Sequence, residues 1–343
     1  MNYIAKVNFA TMTAHETPEA HDSWLNEVSA WIQSALHSLG LRIAGDLDLF
    51  YIRPWSKVIR VPTVAGHVYF KAVAPALKHE VAITAALNAW QPSRTLPVLA
   101  MNEARGWLLL PDGGTQLREI IRASRDYRHW EDVLRNYAGL QIEMAQRVND
   151  MLALNVPDRR LAALPALLSQ LLEDTKILRI DQKDGLSPDE HRRLLALKPQ
   201  LAKMCEQFAG AGIPETLNHG DLTDGNVFMT DGRPRFFDWG DCAVSHPFYS
   251  LRTSFVSLYF SLGLDDEAGG PEFDHLRDVY LETWTSFAPR EKLTEAFRLS
   301  KPLAAINGAL GWHYILRTLS DVEREEYAVP VPALLREFLT SIA

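Results

Sequence analysis

Apolar residues between positions 20 and 39 recur at spacings of three and four, with Trp24, Val28, Trp31, Ile32, Ala35 and Leu39 on one face. That period predicts an amphipathic helix, stopped by Gly40. The period then drops to two. Leu47 to Ile52, Lys57 to Val61 and His67 to Val73 read as strands of a small antiparallel sheet, the last two joined through Ala65-Gly66. In the third strand His67, Tyr69, Lys71 and Val73 share one face, and Val68, Phe70 and Ala72 share the other. Alternation does not say which face meets water, so Lys71 reads equally as a solvent-facing strand lysine or as a cation held for a ligand.

The helical period returns over Lys78 to Trp90, which carries Glu80 in its first turn. An apolar stretch, Trp107 to Leu110, then runs into Pro111, Asp112, Gly113 and Gly114, a natural boundary. The predicted lobes are 1–109 and 110–343. In the second, Glu131 to Leu154, Leu161 to Leu178, Pro188 to Phe208, Phe248 to Leu262, Asp274 to Phe287 and Glu295 to Leu319 read as helices, followed by an acidic patch from Asp321 to Glu326. A strand-rich first third joined to a helical remainder is an α+β layout.

One stretch of the second lobe, Leu217 to Asp241, breaks the helical pattern. Thr230, Asp231 and Gly232 form a turn cluster between Asn-Val-Phe-Met and Arg-Phe-Phe-Asp, which predicts a β-hairpin. The residue entering the first strand and the residue leaving the second lie at the same end of such a pair. Here they are Asn226 and Asp238, two hard oxygen donors that suit Mg²⁺, an ion that takes few protein ligands and leaves its other positions to water and phosphate. Asp221, five residues before Asn226, is placed on the feeding loop as a base facing a hydroxyl. The plainer reading of the same residues is a turn cap and two ordinary turn flanks.

Composition narrows the classes. With 47% hydrophobic and 23% charged residues the chain is ordinary for a globular protein. A formal charge of -8 argues against a nucleic-acid partner. Residues 251–343 hold 14 acidic and 9 basic side chains, which either draws a cationic substrate or makes a solvated acidic face. No apolar run approaches the about 20 residues of a membrane span. The first residues lack the basic start and apolar core of a secretion signal. Two cysteines, Cys205 and Cys242, are too few and too far apart for a disulfide framework or zinc motif. A cytoplasmic protein is the expectation.

The order Asp221, four residues, Asn226, and then Asp238 after a short hairpin is that of the catalytic loop and metal aspartate of protein kinases. The tripeptides His219-Gly220-Asp221 and Asp238-Trp239-Gly240 make the chain resemble the aminoglycoside phosphotransferase and choline kinase-like group of small-molecule kinases. The resemblance covers roughly residues 45 to 251. It implies a two-lobed protein-kinase-like fold, with a small antiparallel sheet in the first lobe and a mainly helical second lobe. ATP and Mg²⁺ are the implied cofactors, and a small molecule with a hydroxyl is the implied partner: an aminoglycoside, an amino alcohol or a sugar.

By the same resemblance, Asp221 is the catalytic base, Asn226 and Asp238 hold the metal, Lys71 positions the nucleotide phosphates and Glu80 orients Lys71. His219 is a scaffold residue. The loop between the first two strands, Ile52 to Lys57, has no glycine, so Ser56 is the candidate phosphate contact there. Leu110 and Asp112 would offer backbone groups to adenine, unless the segment is a simple strand exit. Asp241 either holds a second metal through water or caps a turn, the reading we prefer. Where the group carries Asp-Pro and then an Asp before Leu, this chain has His246-Pro247 and Ser250-Leu251. Substrate choice is implied for the C-terminal helices, here with Trp284, Tyr259, Trp312, His313 and Tyr314. The glycine-free loop and the short Lys71 to Glu80 interval leave an alternative, a nucleotide-binding pseudokinase.

Overall fold

The computed structural model describes residues 18–264 and 270–342. The chain divides into two compact units, one ending at Gly113 and the other beginning at Gly114. The first unit contains α1 (Pro18–Ser38), β1 (Asp48–Arg53), β2 (Ser56–Thr63), β3 (Gly66–Val73), α2 (His79–Trp90), β4 (Ala100–Asn102) and β5 (Trp107–Pro111). Its five strands form one antiparallel sheet in the order β1-β2-β3-β5-β4. The core lies on the face that α1 covers. Val28, Ile32 and Leu36, four residues apart, pack with Ile59, Val61, Val68, Phe70, Trp107 and Leu109. Phe70 is fully buried, with Trp31 and Trp107 edge-on at 5.7 and 5.6 Å between ring centroids. The question that alternation left open is thereby decided. Val68 and Phe70 take the α1 side, so Lys71, offset by one residue, points to the opposite face of the sheet.

The second unit contains β6 (Thr115–Gln116), α3 (Leu117–Ser124), α4 (His129–Met144), α5 (Val148–Ala153), α6 (Leu164–Glu173), α7 (Thr175–Leu178), α8 (Pro188–Ala196) and α9 (Lys198–Ala209). It continues with β7 (Thr216–Asn218), β8 (Val227–Thr230), β9 (Arg233–Phe236), β10 (Ala243–Ser245), α10 (Ser250–Leu262), α11 (Pro271–Glu282), α12 (Arg290–Leu316), α13 (Asp321–Tyr327) and α14 (Pro330–Ser341). Strands β6, β8 and β9 form one small sheet, and β7 and β10 form another.

Three helices expected to be continuous are interrupted. The stretch from Glu131 to Leu154 passes through a 3₁₀ turn at Ala145–Arg147. Asp174 ends α6 and caps α7, its carboxylate accepting from the Ile177 amide. Pro199 sits in the first turn of α9, where its missing N–H is tolerated, and so separates α9 from α8. Beyond Leu319 the acidic patch is a helix of its own, α13, opened by a capping box of Ser320 and Glu323. Among the described residues no helix is long and apolar enough to cross a membrane.

Phe70→Ala should destabilise the first unit by about 3–5 kcal/mol, the usual result of emptying a fully buried aromatic site. Urea unfolding followed by tryptophan fluorescence measures it; a loss below about 1 kcal/mol would contradict this description of the core.

Candidate active site

The hairpin is built as its turn residues require. Register runs from Val227↔Phe236 to Thr230↔Arg233. Asp231 and Gly232 close it with φ of 51° and 72°, the left-handed pair of a type I′ turn. Phe237 N–H donates to the Asn226 carbonyl at 3.3 Å, which extends the pairing by one step and sets Asp238 beside Asn226 at the open end. Asp238 itself has φ of 66°, a conformation Asp tolerates better than most residues and one found often at functional positions.

Asn226 Nδ2 donates to both the carbonyl and the carboxylate Oδ2 of Asp221, each at 2.8 Å. The amide nitrogen is thus committed, and Asn226 Oδ1 remains as an oxygen donor. Burial and the nearby charge of Asp238 push the Asp221 carboxyl up to about 6, with the Asn226 hydrogen bond and Arg118 opposing and Asp224 adding to the rise. Acids crowded in this way, flanked by an amide oxygen, are relieved by a hard cation. Among the described residues no three His, Cys, Asp or Glu converge on a metal site. Mg²⁺ needs no such cluster, so the pair Asn226 and Asp238 fits it.

The loop carrying Asp221 is held from several sides. The main chain of His219 donates to Tyr137 OH at 2.8 Å, and its ring Nε2 lies 2.9 Å from the Phe237 carbonyl, tying this loop to the one carrying Asp238. The ring also packs on Trp239 at 4.5 Å, so His219 has the surroundings of a brace. Gly220 has φ of 80°, and a β-carbon there would collide with the Asp241 carbonyl.

Helix α10 supplies a row of hydroxyls. Thr253 Oγ1 accepts from Leu222 N at 3.1 Å, Ser254 Oγ donates to the Leu222 carbonyl at 3.0 Å, and Ser257 Oγ accepts from Asp224 N at 2.9 Å. Ser261 donates to the Asp224 carboxylate, which also takes Arg118 Nε at 2.8 Å. None of these residues stood out in the sequence, although hydroxyls at 250, 253, 254, 257 and 261 do follow the helical period.

In the first unit Lys71 Nζ meets Glu80 Oε1 at 2.5 Å, with side-chain exposures of 12% and 2%. The interval of nine residues is long enough, because α2 begins immediately after the 3₁₀ turn at Pro75–Leu77 and presents Glu80 in its first turn. Leu110 pairs with Tyr69 inside the sheet and is buried, whereas Asp112 lies beyond the last strand residue and is exposed. Ser56 opens β2 opposite Arg53. Its hydroxyl is buried and has no hydrogen-bond partner among the described residues.

A match to the phosphotransferase enzyme family spans residues 60–291, more than half of the chain. The chain belongs to that family. It is accordingly a small-molecule kinase, a phosphotransferase acting on an alcohol group. Its fold is that of solved protein-kinase-like enzymes. An ethanolamine kinase of Plasmodium vivax is 14% identical, with TM-score 0.58 over 98% of this chain and 96% of that one. A choline kinase of Cryptosporidium parvum gives 13%, 0.62, 92% and 95%, and a macrolide 2′-phosphotransferase of Brachybacterium faecium gives 16%, 0.55, 88% and 97%. No curated protein is matched by sequence.

Where this phosphotransferase departs from the Asp-Pro pattern, the substitutes carry the structural load. His246 Nδ1 accepts from Phe248 N at 3.3 Å and so caps the 3₁₀ turn Pro247–Tyr249. Burial brings the imidazole down to about 3, which keeps Nδ1 a lone-pair acceptor at neutral pH. Ser250 Oγ lies 3.2 Å from Tyr137 OH and accepts from Gln141 Nε2 at 3.3 Å. Of the residues expected to choose the acceptor, Trp284 is wholly buried in the core and His313 is buried with Nε2 at 3.3 Å from Asp174. Trp312, Tyr314 and Tyr259 are half-buried.

Glu80→Ala should destabilise the first unit by about 3 kcal/mol, since it strands a nearly buried ammonium, while the double change Lys71→Met, Glu80→Leu should recover most of that loss and none of the activity. Urea unfolding with parallel assays reads both; equal stability of the single and double variants would contradict a buried pair.

Between about pH 6.5 and 3, an unfolded His246 binds a proton that the folded one refuses. Its contribution to stability is therefore complete above the unfolded value and falls by about 1.4 kcal/mol per pH unit as pH drops. His246→Asn, which keeps an acceptor for Phe248, should unfold less steeply with acid than the parent. Superimposable stability-versus-pH curves would count against a neutral buried imidazole.

Proposed function

We propose that this phosphotransferase moves the γ-phosphoryl group of ATP to the hydroxyl of a small acceptor, with Asp221 as the base. The observation that carries this reading is the pair of hydrogen bonds from Asn226 Nδ2 to Asp221. They fix the carboxylate, and they leave Asn226 Oδ1 to join the Asp238 carboxylate in holding Mg²⁺. When bound, Mg²⁺ would neutralise charge on the phosphates. Asp221 orients the acceptor hydroxyl and takes its proton, and its raised pKa suits a group that must both accept and release a proton near neutrality. Lys71, oriented by Glu80, is assigned to phosphate charge, with Ser56 as a further contact and the backbone of Leu110 and Asp112 for adenine. Alignment and charge stabilisation make up most of what phosphoryl transfer asks of a protein.

A small hydroxyl-bearing molecule is the proposed acceptor; ethanolamine and choline kinases are among the structural neighbours, and the aminoglycosides, amino alcohols and sugars that the resemblance implies are the first classes to assay. A reaction drawing on ATP fits the cytoplasmic location expected from the sequence.

Asp221→Asn should leave Mg-ATP binding nearly intact and lower transfer about 10²- to 10⁴-fold. Asp238→Ala should weaken Mg-ATP binding itself. Calorimetric titration with Mg-ATP, paired with ADP release over a panel of hydroxylated amines and sugars, separates the two effects. Wild-type turnover by either variant would refute the assignment.

A further inference from the structure

Arg159 is a cation that the machinery described so far does not use. It is 5% exposed, and among the described residues its guanidinium has no hydrogen-bond partner. Its backbone is fixed: Arg159 N–H donates to the Val244 carbonyl and Val244 N–H to the Pro157 carbonyl, both at 2.9 Å, so residues 157–159 extend the β7–β10 sheet. Strand β7 leads directly into His219-Gly220-Asp221, and Asp241, which precedes β10, packs against Gly220. Burial pulls the Arg159 guanidinium down, and the charge of Asp241, with Cys242 and Tyr314 behind it, opposes this. The guanidinium is therefore held beside the catalytic loop.

Helix α12 makes room for it. At Gly311, in the interior of that helix, a β-carbon would lie 3.1 Å from Arg159 Nη1. A mid-helix glycine is unfavourable unless something approaches closely, and here the thing approaching is a charged group. A guanidinium so largely buried, opposed only by the charge of Asp241 and making no hydrogen bond to protein among the described residues, has donors that an anion would satisfy.

Part of the acidic content of residues 251–343 is already committed to arginines. Asp274 and Asp278 pair with Arg277, Glu295 with Arg298, Asp321 with Arg324 and Glu337 with Arg252.

Resting on the kinase reading of Asp221, we propose that the acceptor is an alcohol bearing an anionic group, a carboxylate or a phosphate, and that Arg159 binds this group. The anion stays unchanged through the reaction. The hydroxyl oxygen forms a bond to the γ-phosphorus as the bond from that phosphorus to the bridging oxygen breaks; the proton goes to Asp221 and ADP leaves. Arg159 determines specificity and is not a catalytic residue.

The test is calorimetric titration of the full chain with Mg-ADP present. Glycerate and glycerol phosphate are the anionic probes, glycerol the neutral one and choline the cationic one. At least one anion should bind saturably, and glycerol and choline should not. Arg159→Gln should weaken that binding roughly 10- to 100-fold, the range for losing a charge-assisted pair, and Arg159→Lys should recover part of it. Gly311→Ala favours the helix and so preserves the fold, yet crowds the guanidinium; it should weaken anion binding by about 3- to 10-fold. Anion binding unchanged in both Gly311→Ala and Arg159→Gln, or choline binding with no response to either anion, overturns the proposal. Titration with Mg-ADP alone reports the nucleotide site separately: saturable Mg-ADP binding alongside failed anion binding removes Arg159 alone, and failed Mg-ADP binding removes the site reading on which the proposal rests.

Discussion

The position of the reactive loop depends on two polar side chains one turn apart on α4. Gln141 Nε2 donates to the Leu217 carbonyl at 2.9 Å and to the Pro247 carbonyl at 3.3 Å, while Tyr280 OH donates to Gln141 Oε1 at 2.5 Å. Tyr137 OH takes the His219 amide. Strands β7 and β10 have three residues each, far too short to hold a register unaided. Their register is imposed by α4, whose buried groups reach the start of one loop and the end of the other. Because every partner is buried, exchanging any of them for water is closed off, and the network has one low-energy arrangement. Rigidity at Leu217 and Pro247 is what lets the residues between them be strained.

That strain falls on Asp238, left-handed with φ of 66°, while Gly220 takes its left-handed turn without cost. Between them the local electrostatics are deliberately unbalanced: Asp221, Asp224 and Asp238 gather around one amide and one arginine, Arg118. Asp224 is neutralised by Arg118 and hydroxyls of α10, while Asp221, buried and beside the Asp238 charge, is the acid whose carboxyl is pushed up. The first unit solves the opposite problem. There Glu80 balances Lys71, and the pair holds an ammonium at a depth where an unpaired charge would be costly.

Much of this was legible in the chain, for reasons that can be named. The hairpin could be read because Asp231-Gly232 is a dipeptide that few other structures use, and with the turn fixed the pairing of Asn226 and Asp238 followed. The long helices were visible as periodicity, but their interruptions at Ala145–Arg147, Asp174 and Leu197 were not, since each is short against the apolar stripe that runs through it. The face occupied by Lys71 was undecidable until α1 claimed the other side. Strands as short as β6, β7 and β10 carry too few residues for a period. The hydroxyl row on α10 and the polar partners on α4 were masked because Ser, Thr, Gln and Tyr at helical spacing look the same on a wet face as in a buried network. Arg159 lies between helices, where no pattern exists to be broken.

The two loops are also not independent of one another. The ring of His219 bonds to the Phe237 carbonyl, and Gly220 sits where only a hydrogen fits against Asp241, so the loop of Asp221 and the loop of Asp238 touch at two successive residues. A displacement of either backbone must therefore be shared by the other. Asp221 and Asp238 are thereby carried on backbones that brace each other, and Gly220 links Asp241 to the residue next to it, Asp221. Interactions of this kind make the residues of such a site non-additive: removing one member alters the geometry of the rest, and the effect of a double change is not the sum of two.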